Sequence, residues 1–463
     1  MLAVAGVPYC TARELYDVSW SYYVELKAPA EKALDMLVAW KETPKVMIAL
    51  TPQFIRRCVV GLLCICQVSV ERIVEFFDEV FCYHISKGSV GRIQEEARQK
   101  AEGIERDVSL RGVKYVAMDE IFQQGQPVLT GVDLQTHYVV LAQSAPDRTG
   151  ETWREALEEK KANDLHPRVC VSDAGSGLLK GVSGAFPEIT MQMDVFHALR
   201  DVGAYVIREQ RRAMAALSEL CELENKLKSP KVRQKTRKRY EELSATINDT
   251  LHKADTLRIL YEWLKEMTAF SGYGYEKSFA LCVWILEQMA ALFPERKKYQ
   301  QSLSSFRNHL PDILKFLRRL QDNLRQAAQL AHMAEDDLML LYHQRAYPLY
   351  SKEYAAMERR LFQRLGNRIL EARQTIDETI RMTFRASSMI ENVNSRIRCY
   401  MNLKRNIPSK FLSLLRFYFN TRKANRPTNK SWAGTSALDR LTGHDNPSFL
   451  NLLFGCPDYL FSA

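Results

Sequence analysis

The order of strand-like and helix-like segments in residues 112–200 restricts the fold more than any other feature of the sequence. The segments are strands at 113–119, 127–133 and 137–143, a helix at 150–163, a strand at 168–173, a helix at 175–184 and a strand at 189–194. Three successive strands favour antiparallel hairpins, whereas the later alternation of strand and helix favours parallel pairing. We therefore predict an α/β sheet that is antiparallel at first and parallel later.

The strand pattern disappears after about residue 196, and a long stretch then has the periodicity of helices. This stretch is rich in Lys, Arg, Glu, Leu and Gln and shows no repeat. A last helix begins at SSMIENVNSRIRCY (387–400). We predict an all-helical insertion at 201–380, which separates the first part of the α/β core, 111–200, from its last part, 381–425.

Residues 1–110 have the pattern of a helical domain that precedes the sheet. Thr51 and Ser69 are typical helix caps, and a third helix begins near Lys87. Two short helices, a tight break and a third helix over 51–103 fit a helix-turn-helix, whose third helix would enter the major groove of DNA. A plain three-helix bundle fits the same pattern equally well.

Basic residues outnumber acidic ones by 65 to 55 in the 463-residue chain, which gives a net charge of +10 and a pI near 9.0. They cluster in three runs, at 226–240, 396–405 and 422–430, and the last run leads into a basic loop and tail at 426–463. This distribution favours a polyanionic partner such as nucleic acid. The alternative for any single run is a solvated helix face.

The sequence indicates neither a membrane protein nor a secreted one. The apolar run CVVGLLCIC (58–66) is too short to span a bilayer, and MLAVAGVPYC at the start lacks the basic residues of a secretory signal. Ten cysteines are scattered without a CxxC pair, which favours reduced thiols in the core and makes a zinc site improbable. We therefore expect a cytoplasmic protein.

Two carboxylates follow predicted strands, although burial of a charge is costly. Asp119 ends the first strand and Asp173 ends the fourth. Because ligand chemistry collects at the C-terminal ends of the strands in an open sheet, we expect these side chains to meet at one edge. Like charges that are so close need a cation, and Mg²⁺ suits oxygen ligands. Two such ions can activate water and stabilise both oxygens of a phosphodiester displacement.

Glu391 is the best candidate for a third acid at this site. It shares one helical stripe with Asn394, Ser395 and Arg398, separate from the apolar stripe of the same helix. A carboxylate, an amide and a guanidinium on one face suit a metal beside a phosphate backbone. The alternative is a capping box, Ser388-x-x-Glu391, in which Glu391 only closes the start of the helix.

Three further acids are ambiguous. Glu120 follows Asp119, and because neighbours on a strand face opposite sides, Glu120 is expected to make a structural bond. Asp133 ends the second strand and ranks below Asp173 as a site residue, because no glycine loop follows it. Asp201 is expected to pair with a neighbouring arginine.

The ordered set of motifs resembles the DDE transposases of bacterial insertion sequences. Asp119, Asp173 and Glu391 match the acidic triad of that family by strand order. MDVFHALRD places Asp194 and His197 as D-x-x-H, which looks like the C/D-x-x-H signature of transposases that carry a helical insertion before the final Glu. LTGHDNPSFLNLLFG resembles a tail seen in such transposases. Outside this order, His197 would more simply be a packed or capping histidine.

The resemblance implies a ribonuclease-H-like core interrupted by helices, with Asp119, Asp173, Glu391, Asp194 and His197 as catalytic residues. It implies two Mg²⁺ or Mn²⁺ ions held by the first three, and His197 near the scissile phosphate. Its implied partner is double-stranded DNA, bound by a dimer or larger assembly. The implied activity is hydrolysis at transposon ends followed by strand transfer into target DNA, in the bacterial cytoplasm and at the nucleoid when DNA is bound.

The residues expected to contact DNA are Lys87, Arg92, Asn394, Arg396, Arg398, Lys404 and Arg405. Two rival functions stay open at this point. Another ribonuclease-H-like endonuclease would cut DNA without joining ends, and a transposase-derived protein without catalysis would only bind DNA. The intact set of Asp119, Asp173 and Glu391 argues against the second rival.

Overall fold

The fold is known from a computed structural model. It describes residues 13, 19–38, 47–48, 50–173, 175–228, 233–403, 409–425, 427, 429–457 and 460–461. Lys404 and Arg405, two of the expected DNA contacts, lie outside these described residues. The chain divides into two compact units, one formed by 1–93 with 450–463 and the other by 94–449. No described helix has the length and apolar content needed to cross a bilayer.

In chain order, the helices and strands of the described residues are α1 (Trp20–Val38), β1 (Met47–Ile48), α2 (Pro52–Cys64), α3 (Val70–Phe81), α4 (Lys87–Arg106), β2 (Tyr115–Gln123), β3 (Gln126–Asp133), β4 (Val139–Ser144), α5 (Gly150–Lys161), β5 (Val169–Ser172), α6 (Ser176–Ala185), β6 (Thr190–Met193), α7 (Val195–Leu227), α8 (Gln234–Met267), α9 (Tyr275–Leu292), α10 (Lys297–Asn308), α11 (Leu310–Ile313), α12 (Lys315–Leu330), α13 (Glu335–Gln344), α14 (Lys352–Leu365), α15 (Ile369–Arg381), α16 (Ser388–Leu403), α17 (Ser409–Thr421), α18 (Ala437–Thr442), α19 (Phe449–Phe454) and β7 (Leu460–Phe461).

The first unit contains two of the three helices that the sequence predicts over 51–103, and the start of the third. The Thr51 hydroxyl accepts the backbone N–H of Phe54 at 3.1 Å and so caps α2, whereas Ser69 caps α3 in the same way. Helix α4 begins at Lys87, as expected, and contributes its first residues to this unit. The helix order is therefore confirmed, and the assignment as a helix-turn-helix stays a prediction.

The second unit contains a five-stranded sheet of order β4-β3-β2-β5-β6. β2, β3 and β4 pair antiparallel, whereas β5 pairs parallel with both β2 and β6. This confirms the predicted change from antiparallel to parallel pairing. It also places β2, the strand that carries Asp119, at the centre of the sheet, where it has neighbours on both sides.

Asp119 does not end its strand, contrary to the sequence prediction. β2 continues past it to Gln123, because β2 and β3 form one long hairpin that closes at Gln124 and Gly125. Both turn residues have positive φ, of 52° and 84°, as a tight hairpin turn requires. The parallel partner β5 stops earlier, at Ser172, so Asp119 lies where the parallel part of the sheet ends.

Two glycines allow helix α6 to pack closely on helix α5. A Cβ on Gly177 would overlap the carbonyl oxygen of Arg148, and one on Gly181 would overlap the Cβ of Trp153. Trp153 is fully buried in this contact. Because α6 starts directly after the loop that carries Asp173, this close packing fixes the position of the loop.

Helix α17 covers the outer strand of the sheet. The Asn420 side chain accepts the N–H of Val139 at 2.7 Å and donates to its carbonyl at 3.0 Å, so its amide pairs with β4 as another strand would. Arg416 of the same helix makes a two-pronged ion pair with the buried Glu105 of α4, at 3.1 and 2.6 Å. An exposed sheet edge invites aberrant pairing, and these contacts close it.

Helices α7 to α15 fill the span between β6 and α16, and no strand interrupts them in the described residues. Their buried apolar side chains form two clusters, one centred on α7–α12 and the other on α12–α15. The prediction that 201–380 is helical is therefore confirmed for the described residues. α7 itself starts at Val195, two residues after β6 ends, and runs unbroken to Leu227.

Gly181→Ala is expected to lower the free energy of unfolding by about 1–3 kcal/mol, because the new methyl group must displace Trp153 or the α5 backbone. Gly184→Ala is the matched control on the same helix, since its Cβ would meet only the flexible Arg154 side chain at 3.2 Å. The control should be neutral or stabilising by up to about 1 kcal/mol, because alanine favours helix. Urea unfolding of both variants tests this, and equal destabilisation would contradict the packing described.

Candidate active site

The register of the parallel strands brings three aspartates to one edge of the sheet. Ala117 of β2 pairs with Val171 of β5, so two more residues along the chain bring Asp119 level with Asp173. Ser172 of β5 pairs with Met193 of β6, so the next residue brings Asp173 level with Asp194. Asp119 therefore lies on the central strand, and Asp173 and Asp194 directly follow the next two strands, at the edge where such sheets carry their chemistry.

Asp119 lies among hydrogen-bond donors and other charged side chains. Its Oδ2 accepts a hydrogen bond from Asn394 Nδ2 at 2.7 Å, and its Oδ1 accepts the backbone N–H of Glu120 at 2.8 Å. Burial raises the pKa of Asp119 to about 6, with a further rise from the negative charges of Asp173 and Glu391. The three predicted acids therefore share one electrostatic environment, in which negative charge accumulates.

Glu391 faces this environment and does not cap its helix. α16 begins at Ser388, so Ser388 is its first residue, not its cap. The Glu391 carboxylate lies 3.1 Å from His197 Nε2 through Oε1 and 3.7 Å from Arg398 through Oε2. The capping-box alternative is therefore wrong, because the carboxylate contacts a histidine from the other end of the insertion.

Asp194 orients His197 through a buried hydrogen-bond set. Its Oδ1 accepts the N–H groups of Phe196 and His197, which caps α7, and its Oδ2 lies 2.9 Å from His197 Nδ1. Oδ2 also accepts the backbone N–H of Ser387 at 3.0 Å and the Ser387 hydroxyl. The His197 ring is thereby held between Asp194 on one side and Glu391 on the other.

The pKa values of this pair are shifted in opposite directions. Burial alone would raise the pKa of Asp194, but hydrogen bonds from His197 and Ser387 outweigh it and hold the pKa below its ordinary value. The hydrogen bond and charge of Asp194 raise the pKa of His197 above its ordinary value, and Glu391 adds to the rise. The arrangement therefore favours a charged ion pair beside the acidic cluster.

The other acids lie away from this cluster. Glu120 points to the opposite face of the sheet, where it accepts Trp153 Nε1 at 3.1 Å and pairs with Arg148, as strand alternation predicts. Asp133 lies toward the other end of the sheet, because β3 runs antiparallel to β2, and it binds Thr136. Asp201 is exposed and lies 3.8 Å from Arg200, as expected.

The candidate DNA contacts are in different surroundings. Lys87 is exposed and pairs with Glu71 at 3.1 Å, and Arg92 is exposed at the start of α4. Asn394 is buried and donates a hydrogen bond to Asp119. Its position on a polar stripe of the helix had not indicated that it is buried.

Arg398 and Arg396, predicted as one DNA-contacting group, point in different directions. Arg398 lies beside Glu391, whereas the Arg396 guanidinium lies over the Phe419 ring, 4.7 Å from its centre.

Sequence analysis missed Ser387, the hydroxyl that anchors Asp194. The neighbouring serine, Ser388, has the spacing of a capping box with Glu391, and that local signal pointed to the wrong residue. No local pattern distinguishes the two, because the partner of Ser387 lies almost two hundred positions earlier in the chain.

The donor set fits a divalent metal ion, although no group of three or more His, Cys, Asp or Glu side chains in the described residues is already arranged to hold one. Asp119 supplies an oxygen in a region of excess negative charge, and Asn394 Oδ1 is buried without a hydrogen-bond partner among the described residues. Carboxylate and amide oxygens are the ligands of hard cations such as Mg²⁺. His197 and Arg398 neutralise Glu391 in the present arrangement.

Comparison with known families agrees with this geometry. A family model of the DDE type, described as transposase, matches residues 116–323. This match confirms the predicted family resemblance over residues 116–323, which make up less than half of the chain. The matched span includes Asp119, Asp173, Asp194 and His197 and ends before Glu391. No curated protein sequence matches the chain.

Ser387→Ala is expected to lower the free energy of unfolding by about 1–3 kcal/mol, because the buried Asp194 carboxylate loses a hydrogen-bond donor. Ser388→Ala is the matched control, since Ser388 is exposed and its removal should change stability by no more than about 0.5 kcal/mol. The shift of the urea unfolding transition measures both. A larger effect at Ser388 would restore the capping-box interpretation.

Proposed function

We propose that the chain is a DNA transposase that cuts phosphodiester bonds at the ends of a mobile element and joins them to target DNA. The observation that carries this proposal is the grouping of Asp119 with Asp173, Glu391 and the Asp194–His197 pair. Most of these residues lie in the segment that the transposase family model matches. Chemistry at a phosphodiester suits a cluster of carboxylates beside an oriented histidine.

A ribonuclease-H-like core is part of the proposal. The sheet has three antiparallel strands followed by two parallel ones, and the strand with the first aspartate is central. The helical span between β6 and α16 corresponds to the insertion expected in this kind of transposase. These features support the assignment of residues 111–200 and 381–425 to one catalytic core.

The proposed reaction has two steps at the same site. In the first, water attacks the phosphorus at the element end, the bond to the bridging 3′-oxygen breaks, and a 3′-hydroxyl is released. In the second, this hydroxyl attacks a phosphorus in the target strand, forms a new phosphodiester and releases the target 3′-oxygen. Asp119, Asp173 and Glu391 would hold two Mg²⁺ or Mn²⁺ ions, which activate the attacking oxygen and stabilise charge on both oxygens of the displacement.

His197 is proposed to contact the scissile phosphate. Asp194 holds the Nδ1 side of the ring, so Nε2 points toward Glu391 and the acidic cluster. A protonated imidazole there offers a hydrogen-bond donor to a phosphate oxygen. Asp194, which is fully buried and bound on both oxygens, acts as a positioning residue for this contact.

DNA binding is proposed to involve the basic segments and the N-terminal helices. The net charge of +10 supports affinity for a polyanion, and Lys and Arg contacts to phosphates would make the binding depend on salt. Lys87 and Arg92, at the exposed start of α4, are placed to reach DNA if α4 is a recognition helix. Action on two element ends implies a dimer or larger assembly, and the resemblance to transposases of bacterial insertion sequences implies a bacterial cytoplasmic location.

Asp173→Asn tests the catalytic assignment, because it keeps the size of the side chain and removes its charge. Cleavage of DNA that carries the sequence flanking the reading frame should fall by roughly 10²–10³-fold, the scale of a lost charge-stabilising group. Binding in a band-shift assay should be retained, since phosphate contacts by Lys and Arg supply most of the affinity. Asp201→Asn, an exposed aspartate, is the control with the same charge change. Near wild-type cleavage by Asp173→Asn would reject this residue as part of the site.

A pre-cut substrate separates the transposase from the rival endonuclease. Element-end DNA that already carries a 3′-hydroxyl, mixed with a supercoiled target, should give joined products with the wild-type protein and none with Asp173→Asn. An endonuclease would cut intact ends and leave the pre-cut ends unjoined. Cleavage without any joined product would therefore favour the endonuclease, and binding without either reaction would favour the non-catalytic protein.

A further inference from the structure

A large groove of the second unit lies beside α16, on a different face of that helix from the acidic cluster. Its volume is about 1280 Å³, and it is lined by α16, the end of α17, the β3–β4 turn and the segment that follows α17. We call it the basic groove. Its cationic lining residues are Arg381, Arg396, Arg422, Lys423 and Arg440. No described lining residue is acidic, so the groove has a strong excess of positive charge.

Three of these cations have partners on the protein. Lys423 is neutralised by Asp439 and Asp445, at 2.6 and 2.5 Å. The Arg440 guanidinium donates to the carbonyl of Thr136 at 2.9 Å. Arg381 is exposed and lies 3.8 Å from Glu378. These contacts hold the walls of the groove, and two further arginines, Arg396 and Arg422, remain without such a partner.

Arg396 and Arg422 have no carboxylate partner within the described part of the chain. Arg396 is half-buried, and its Nε is buried without a hydrogen-bond partner among the described residues. Burial and the neighbouring charge of Arg422 lower the pKa of Arg396. A desolvated, unpaired guanidinium is costly, because the charge has lost water without gaining a counter-ion. Its position at the groove therefore points to an anion that is supplied from outside.

The donors of the groove suit a phosphate backbone. Guanidinium groups bind phosphate oxygens with two parallel hydrogen bonds, and amides such as Gln135 and Asn392 add neutral donors. The aromatic rings of the groove already have packing partners. Arg396 lies over Phe419, and Phe384 packs on Tyr115. Both Arg440 and His137 pack on Trp432. Rings in such contacts are not free to stack on unpaired bases, which is how proteins hold single strands. A duplex bound through its backbone is therefore favoured.

Helix α16 separates the groove from the acidic cluster. Glu391 and Asn394 face the cluster, whereas Asn392 and Arg396 line the groove, about 150° away round the same helix. A helix is about 10 Å across, which corresponds to about three nucleotide steps of duplex DNA. One duplex can thus reach both surfaces.

We propose that the basic groove binds the phosphate backbone of double-stranded DNA a few nucleotides from the bond that is cut. This inference rests on the proposed function, because it places the groove on the duplex that enters the acidic site. Arg396 and Arg422, which have no carboxylate partner among the described residues, supply the main contacts. The groove gives affinity and fixes the position of the duplex, and it takes no part in bond breaking.

The test combines Arg422→Gln with a neutral phosphate in the DNA. Binding of the flanking duplex is measured in the presence of a chelator, with single methylphosphonate groups at successive positions around the cleavage site. Wild-type binding should weaken about three- to tenfold when a phosphate within about five nucleotides of the cut is neutralised. Arg422→Gln should show the same loss with unmodified DNA, no further loss at that position, and a salt slope reduced by about one.

Two further variants secure the interpretation. Arg396→Met keeps the packing on Phe419 and should show the same coupling to a neutral phosphate, with its fold checked by thermal unfolding. Arg360→Gln, exposed on α14, removes the same charge outside the groove and should bind with an unchanged salt slope. Additive losses from Arg422→Gln and the neutral phosphate, or equal behaviour of Arg422→Gln and Arg360→Gln, would overturn the inference.

The outcomes also distinguish this inference from the proposed function. Wild-type cleavage without the coupling would overturn the groove assignment alone. Coupling without any wild-type cleavage would overturn the transposase proposal and keep the duplex site. An RNA duplex or inorganic phosphate that competes with the same dependence on Arg422 as the DNA would reject DNA as the ligand of the groove.

Discussion

The site depends on one buried carboxylate, that of Asp194, which joins the two ends of the helical insertion. The chain leaves the sheet directly after Asp194 and returns at Ser387, whose N–H and hydroxyl both bind the same Asp194 oxygen. The backbone N–H of Val195 also donates to the carbonyl of Arg385 at 3.1 Å. A buried charge requires this many donors to offset its lost hydration. The same contacts place α16, and therefore Glu391, opposite the aspartates of the sheet.

The acidic cluster differs from Asp194, because its carboxylates lie close together without enough hydrogen-bond donors from the protein to offset their charges. Asp119 and Asp173 are close because the backbones of β2 and β5 pair in this register, and a different side-chain rotamer would not separate them far. The raised pKa of Asp119 is the result of burial and these like charges. Asn394 and His197 relieve part of the repulsion through hydrogen bonds with Asp119 and Glu391. Such stored repulsion is typical of sites that function with an added cation.

Sequence patterns predicted those parts of the fold that depend on local periodicity. The order of strands, the change from antiparallel to parallel pairing and the helical insertion all follow from the spacing of apolar residues. The predicted end of β2 was wrong, because an Asp-Glu pair after apolar residues resembles the end of a buried strand. The strand continues there because β2 pairs with β3 along the whole hairpin, and Trp153 and Arg148 bind Glu120 on the opposite face.

The site was predicted only in part for the same reason. The family resemblance supplied the order of the acids, and their shared electrostatic environment emerges only once the strands are in register. The capping-box pattern around Glu391 gave a false local alternative, since the partner of Glu391 is His197, from the far side of the insertion. Contacts between residues so distant in sequence leave no periodic signal in a single chain.

The continuity of α7 has a mechanical consequence. This helix carries His197 in its first turn and runs unbroken for 33 residues, which is about 50 Å of rigid rod. Its far end is mostly exposed and packs along α8, where Glu219 pairs with Arg239 at 2.7 Å. If the helix tilts about the end that carries His197, a tilt of about two degrees moves its far end by almost 2 Å, whereas the imidazole hardly shifts. The distal helices of the insertion can therefore move without disturbing the site.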